Sequence, residues 1–239
     1  MKQHFLFLSC TFLTPLFAFC QYTTSGLSLD EKAHDWFDAQ IKRENTSLVT
    51  GTYREITRKL PKSHPFLISD KWVEGSMHYM GQTYNNVSLL YDMEQDEILF
   101  RHPQAFAYNM QPIKPIQKEI SWFMMEGMLF KYIDRKLFYY NEGFYEVRYE
   151  GENIIFLSKR IRTVVTEPEY MYANNDVNIL IVGEEHYRIK NRFLLYRLFK
   201  QSKKSIRKYI KEHSVSFKND NDSGLVSLVK YCDTLTPNE

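Results

Sequence analysis

Four carboxylates crowd into six residues at Asp92, Glu94, Asp96 and Glu97. Oxygen donors at that density suit a calcium ion, but the run lacks the central glycine and terminal glutamate of an EF-hand loop. It also sits between two strand-like segments, where a solvated acidic turn is the plainer reading. The histidines beyond the first twenty residues (His34, His64, His78, His102, His186, His213) are scattered, with no pair at ligand spacing. There is no nucleophile elbow, no glycine-rich phosphate loop and no HExxH motif. The sequence therefore predicts no catalytic residue, no metal site and no cofactor, and an enzyme here would need a site dispersed along the chain.

Two other patterns bear on binding. From Arg188 to Lys218 the chain carries eleven Lys and Arg against one Glu, although its overall net charge is only +2. Lys203, Lys204, Arg207, Lys208 and Lys211 fall on one helical face, suited to an anionic lipid surface or an acidic envelope protein. The plainer reading is a solvated helix surface opposite an apolar stripe. The second pattern is aromatic. Trp72, Tyr79, Tyr84, Tyr91, Trp122, Phe130 and Tyr145 recur along strand-like segments. They can line a concave apolar cavity for a lipid, or they are the residues that cross-strand pairs in sheets prefer. No polar anchor group stands beside them to favour the cavity.

The elements that position these residues are read from periodicity. Residues 72–80 and 83–91 alternate as paired strands around a turn at Gly81-Gln82, and 97–101 follows as a third strand after the acidic turn. Val87, Leu89 and Tyr91 share one face by the two-residue period. Further hairpins are expected for 120–123 with 128–133 around Glu126-Gly127, 137–140 with 144–149 around Asn141-Glu142-Gly143, and 178–182 with 186–189 around residues 183–185. Residues 153–162 form another strand, and a strand rich in Thr, Tyr and Ile is expected over 50–58. Roughly ten or more short strands at this spacing predict an antiparallel sheet that curls or half-closes.

Helices are expected at both ends. Ser28 with Glu31 forms a capping box ahead of Ala33, Trp36, Phe37 and Ile41. Near the C-terminus Asn191 caps a segment with Leu194, Leu195, Leu198 and Phe199. Two more stripes follow, Ile206-Tyr209-Ile210-His213 and Leu225-Leu228-Val229-Cys232. The predicted class is α+β: a curved antiparallel sheet or half-open barrel, an N-terminal helix and C-terminal helices over 191–234.

Composition fits a folded domain. The chain is 44% apolar and 25% charged, too rich in core-forming residues for a disordered chain or a collagen. Mean hydropathy is −0.45 and the one long apolar run lies at the N-terminus, which excludes a multi-span membrane protein. That run, residues 5–19 after Lys2 and ending in Ala18-Phe19-Cys20, reads as a signal peptide over 1–20, too short to span a bilayer, with one domain over 21–239. A lipid anchor at Cys20 fits less well, because Phe19 stands where a small residue is usual. Export argues against a nucleic-acid partner. It also leaves Cys232 as the one cysteine of the mature chain, excluding an internal disulfide or a cysteine zinc site, and its place on a helical stripe marks it as core.

The segment 72–79, followed by Gly81-Gln82-Thr83-Tyr84-Asn85-Asn86-Val87 and Leu90-Tyr91-Asp92, resembles a pattern in uncharacterised secreted proteins of Bacteroidota. There a Gly-x-x-Tyr-x-x-Val hairpin leads to Leu-x-Tyr-Asp after a His-Pro-Phe motif, here His64-Pro65-Phe66. The tail, with a Lys-rich helix, Ser216-Phe217-Lys218 and a helix ending near Tyr231-Cys232, is similar to the same group, from which Cys232 departs. The resemblance implies an envelope location and assigns no chemistry. Residues 81–92 also resemble, in character, the LolA-like carriers that hold acyl chains in an unclosed half-barrel. The expected function is accordingly a non-enzymatic, exported envelope protein of binding or structural type. The alternatives are a carrier of an apolar ligand and a hydrolase with a dispersed site.

Overall fold

The structure, a computed structural model, describes residues 36, 45–56, 60, 63–105, 110–137, 140–166, 169–217 and 223–235. The expected signal peptide lies outside the described residues, as does the expected N-terminal helix apart from Trp36.

Thirteen strands are described: β1 (Gly51–Tyr53), β2 (Val73–Tyr79), β3 (Gln82–Asp92), β4 (Glu97–Phe100), β5 (Ile113–Pro115), β6 (Ile120–Met125), β7 (Met128–Ile133), β8 (Gly143–Glu150), β9 (Ile154–Lys159), β10 (Arg162–Val165), β11 (Met171–Asn174), β12 (Val177–Val182) and β13 (Glu185–Arg188). Eleven of them form one antiparallel sheet in the order β1-β5-β4-β3-β2-β6-β7-β8-β9-β12-β13. The β10–β11 hairpin leaves this sheet and pairs only with itself. Helices α1 (Arg192–Leu198), α2 (Lys203–Glu212) and α3 (Ser223–Asp233) follow. The α+β class and the unclosed curved sheet agree with expectation.

Turn chemistry sets the registers. Tyr79 pairs with Gln82, so the first hairpin turns on Met80-Gly81, one residue earlier than expected. Both have positive φ (50° and 79°), the pattern of a type I′ turn, which wants glycine second. Glu126-Gly127 makes the same turn where expected, between Met125 and Met128. The β12–β13 turn is Gly183-Glu184, so Glu185 already belongs to the strand.

Three expectations are corrected. The expected strand over 137–140 is not shown, and its residues 138–139 lie outside the described residues. Leu137 and Tyr140 make an isolated bridge inside the long connection after Ile133, and β8 pairs with β7 instead, Ile133 opposite Gly143. Of the strand expected over 50–58, Gly51–Tyr53 is strand, 54–56 are not and 57–58 lie outside the described residues, and 153–162 divides into β9 and β10. β5, with Pro115 at its end, and β11 went unforeseen because three or four residues carry too little periodicity to register.

The sheet curls strongly. Tyr91 on β3 and Phe144 on β8 lie four strand positions apart, which would separate them by about 19 Å in a flat sheet. Their ring centroids are 6.1 Å apart. The interior so enclosed is filled by Met77, Tyr79, Tyr84, Val87, Leu89, Tyr91, Phe123, Phe130 and Phe144, all buried. Phe123 and Phe130 stack at 4.7 Å, and Tyr91 meets each of them at 5.2 and 5.1 Å. A bulge keeps β3 in phase with this interior. Ser76 lies opposite both Asn85 and Asn86, and Asn86 takes φ 52°, so Tyr84, Val87, Leu89 and Tyr91 all point inward despite the odd spacing.

The helices cover the other end. Leu195, Phe199, Ile206, Leu225, Leu228, Val229 and Cys232 pack on Ile154, Phe156 and Leu180 of β9 and β12. Asn191 caps α1, accepting from the Phe193 amide at 3.0 Å. The Asp233 carboxylate at the end of α3 accepts from Tyr149 Oη (2.8 Å) and from the amides of Glu152 and Asn153 (3.2 and 3.0 Å), pinning the β8–β9 turn.

Candidate functional site

The aromatic set predicted from sequence is divided by the fold. Tyr79, Tyr84, Tyr91 and Phe130 belong to the curled interior and are at most 1% exposed. Tyr145 lies on the opposite face, against Leu157, Ile179 and Leu137. Trp122 shares that outer face, half-buried and stacked on His78 at 6.2 Å. Trp72 packs elsewhere, on Phe66, Leu90 and Leu99. These seven residues do not line one common surface, and the inward ones are occupied by one another.

The carboxylate run is likewise dispersed. Asp92 accepts from the amides of Glu94 and Gln95 (2.9 and 3.1 Å) and closes its own turn, while burial raises its pKa. Glu94 accepts from Tyr172 Oη at 3.1 Å. Glu97 pairs with Lys114 at 2.6 Å and Arg54 at 3.5 Å. Asp96 is half-buried, its carboxylate turned toward the interior. It accepts from Tyr91 Oη (2.5 Å), from the Phe144 amide (3.2 Å) and from Lys159 Nζ. Burial raises the Asp96 pKa and lowers that of Lys159, in each case outweighing the partner's charge. Among the described residues no three His, Cys, Asp or Glu side chains are grouped to hold a metal.

A second buried network was not foreseen. Arg160 donates to Glu146 (2.6 and 2.5 Å) and to Asp176 (2.6 Å). Burial works against the Arg160 charge, but the two carboxylates prevail and its pKa is raised. Beside it Ser158 Oγ lies 2.5 Å from Asn178 Oδ1. Glu146, Ser158 and Asn178 are register partners across β8, β9 and β12. They continue the inward row of Met77, Phe123 and Phe130. A lone lysine or arginine in a strand carries no periodic signal, so only pairing across the sheet reveals the network.

Two concavities touch these groups. One of about 340 Å³ is lined by Arg54, Glu55, Asp92, Glu94 and Gln95 over an apolar floor of Ile56, Pro65, Phe66 and Leu99. Another of about 230 Å³ lies against Arg160, Arg162, Asn174 and Asp176.

The basic face stands apart from both. Ile206 is the buried residue of α2, while Lys203, Lys204, Arg207, Lys208 and Lys211 are all exposed. At 3.6 residues per turn they sweep an arc of about 140° without an acidic residue. Among the described residues the one ion pair at its edge is Lys208–Glu212, 3.7 Å apart on the surface. No helix of the described residues is long and apolar enough to cross a membrane. Comparison of the chain with protein-family models, with curated proteins and with solved structures finds no match.

Proposed function

We propose that this is an exported cell-envelope protein that works by binding, with the curled sheet as a filled support and the helical end as the contact surface. The observation that carries this reading is the contrast in use of charge. Asp96, Lys159, Glu146, Arg160 and Asp176 are spent on one another inside the fold, whereas the five cations of α2 face solvent. Exposed like charges repel and stabilise the fold little, so a partner of opposite sign is what gives them use. The N-terminal apolar run supports the envelope location.

A carrier would hold its ligand where Tyr91, Phe123, Phe130 and Phe144 now meet ring to ring, and would have to open that packing first. One observation favours chemistry instead: Asp92, with its raised pKa, and Glu94 share the 340 Å³ cleft with Arg54. Both carboxylates are already committed, Asp92 to its turn amides and Glu94 to Tyr172, so binding is the better reading.

Native mass spectrometry of the protein from an envelope fraction, followed by organic extraction, separates the first two readings. A mass free of small molecules, together with an in-cell crosslink from Lys208 to an envelope component, is the expected result. A stoichiometric extracted lipid would replace the reading with the carrier.

A further inference from the structure

The basic arc of α2 is continuous with an exposed aromatic on α1. Phe193, 65% exposed, is among the most exposed large apolar side chains described. The Arg192 guanidinium lies 5.8 Å from the centre of its ring. Phe193 meets the Tyr196 ring edge-on at 6.2 Å, and Lys203 Nζ sits 5.7 Å from the centre of Tyr196. Arg192, Phe193, Tyr196 and Lys203 therefore form one chain of contacts that leads into Lys204, Arg207, Lys208 and Lys211. Arg197 in the last turn of α1 and Lys200 in the link between the two helices are also exposed.

Nothing inside the fold calls for Phe193 to face water, since Leu195 and Phe199 already supply the buried side of α1. Aromatic rings and arginines also serve protein interfaces, but cations this dense around the ring call for a surface of many anionic groups. A bare aromatic ring rimmed by cations matches a membrane interface, where a ring enters at headgroup depth while lysines and arginines meet anionic lipid. We propose that the α1–α2 face seats on an anionic phospholipid surface, with Phe193 as the inserted residue and the α2 arc as the electrostatic contact. This rests on the binding reading above and names its partner.

The test is co-sedimentation of the protein purified from an envelope fraction with vesicles of phosphatidylcholine and phosphatidylglycerol in equal parts, against vesicles of phosphatidylcholine alone. The protein is expected to sediment with the mixed vesicles at low salt and to be released at about 1 M salt, where the Debye length shrinks to about 3 Å. With each surface cation contributing a factor of roughly five, Lys203→Glu/Lys204→Glu/Lys208→Glu should weaken binding at least about 100-fold. Phe193→Ala should weaken it about tenfold, as partial loss of an inserted ring requires. Thermal unfolding of Phe193→Ala should match the parent, because the side chain is exposed, so this variant decides the matter even if the triple variant misfolds. Failure to sediment with mixed vesicles, equal binding to neutral ones, or unchanged binding of Phe193→Ala with full competition by heparin would each overturn the proposal. If vesicles fail while Lys208 still crosslinks to an envelope protein in cells, the lipid surface is wrong and the binding reading stands; if both fail, both fall.

Discussion

The curled region from β2 to β7 and the helix-covered region of β8, β9 and β12 share one sheet, yet they fill the same inward row with opposite chemistry. In the first the row is Met77, Phe123 and Phe130; in the second it is Glu146, Ser158 and Asn178. Aromatic rings at 4.7–5.2 Å hold the curl by packing, which depends on volume and is indifferent to charge. The polar row survives burial because its members are paired: Glu146 with Arg160, Ser158 with Asn178. Burial of a charge is tolerable where geometry and partners are complete and costly when one partner is lost. The two regions join at the rim, where Asp96 links Tyr91 of the interior to Lys159 and Phe144.

That contrast can be broken in the aromatic region first. Phe123→Ala should cost about 4 kcal/mol by leaving a cavity among three rings, measured by denaturant unfolding, with little dependence on pH. A loss under about 1 kcal/mol would mean the curl is not held by ring packing.

In the polar region Arg160→Met should cost about 3 kcal/mol by taking the shortest ion pair from both Glu146, left with Arg148 at 3.5 Å, and Asp176. The triple variant Arg160→Met/Glu146→Gln/Asp176→Asn should recover part of that loss, since Glu146→Gln also takes the carboxylate from the largely buried Arg148 side chain. A triple variant as unstable as the single one would show that the network is not balanced charge.

At the rim Gly143 has φ 152°, and a Cβ there would run into the Asp96 carboxylate and the Lys159 amine. Gly143→Ala should therefore cost at least about 2 kcal/mol; in an Asp96→Ala/Lys159→Ala background the steric part should vanish while the backbone strain of the positive φ remains, read as a double-mutant cycle.

The smallest effect concerns the helical layer. Burial pushes the Cys232 thiol up to about 12 from a usual value near 9. A raised native pKa means that the thiol's contribution to stability is whole below the unfolded pKa and fades as pH rises toward the native value. Relative to Cys232→Ala, the parent should lose about 1 kcal/mol between pH 8 and 10. Labelling by a thiol reagent at pH 8 should require unfolding. Rapid labelling of the native chain would place Cys232 outside the core.

Helical stripes were legible because their period repeats locally. Leu225, Leu228, Val229 and Cys232 are all buried as the spacing requires, and Asn191 caps α1 as its type and place suggest. Within β3 the alternation of Val87, Leu89 and Tyr91 was equally plain. That Tyr84 joins them was not, since it depends on a bulge at Asn85-Asn86 defined only against Ser76 of the partner strand. Of the candidate surfaces, the α2 cations were readable because a helix displays its own face. The fate of the aromatic set was not, because strands of one sheet can send like residues to opposite sides.

By itself the sequence determined the class of the protein, its hairpin grammar, its helical stripes and the place where positive charge gathers. Each of these follows from contacts a few residues apart, which composition and period encode directly. Tertiary structure alone decided that Asp96 leaves its turn to neutralise Lys159, 63 residues away, that Arg160 gathers Glu146 and Asp176, and that the interior closes on Phe144. Those pairings arise from sheet curvature and strand register, sums of small twists over many strands, and no single segment of the chain contains them.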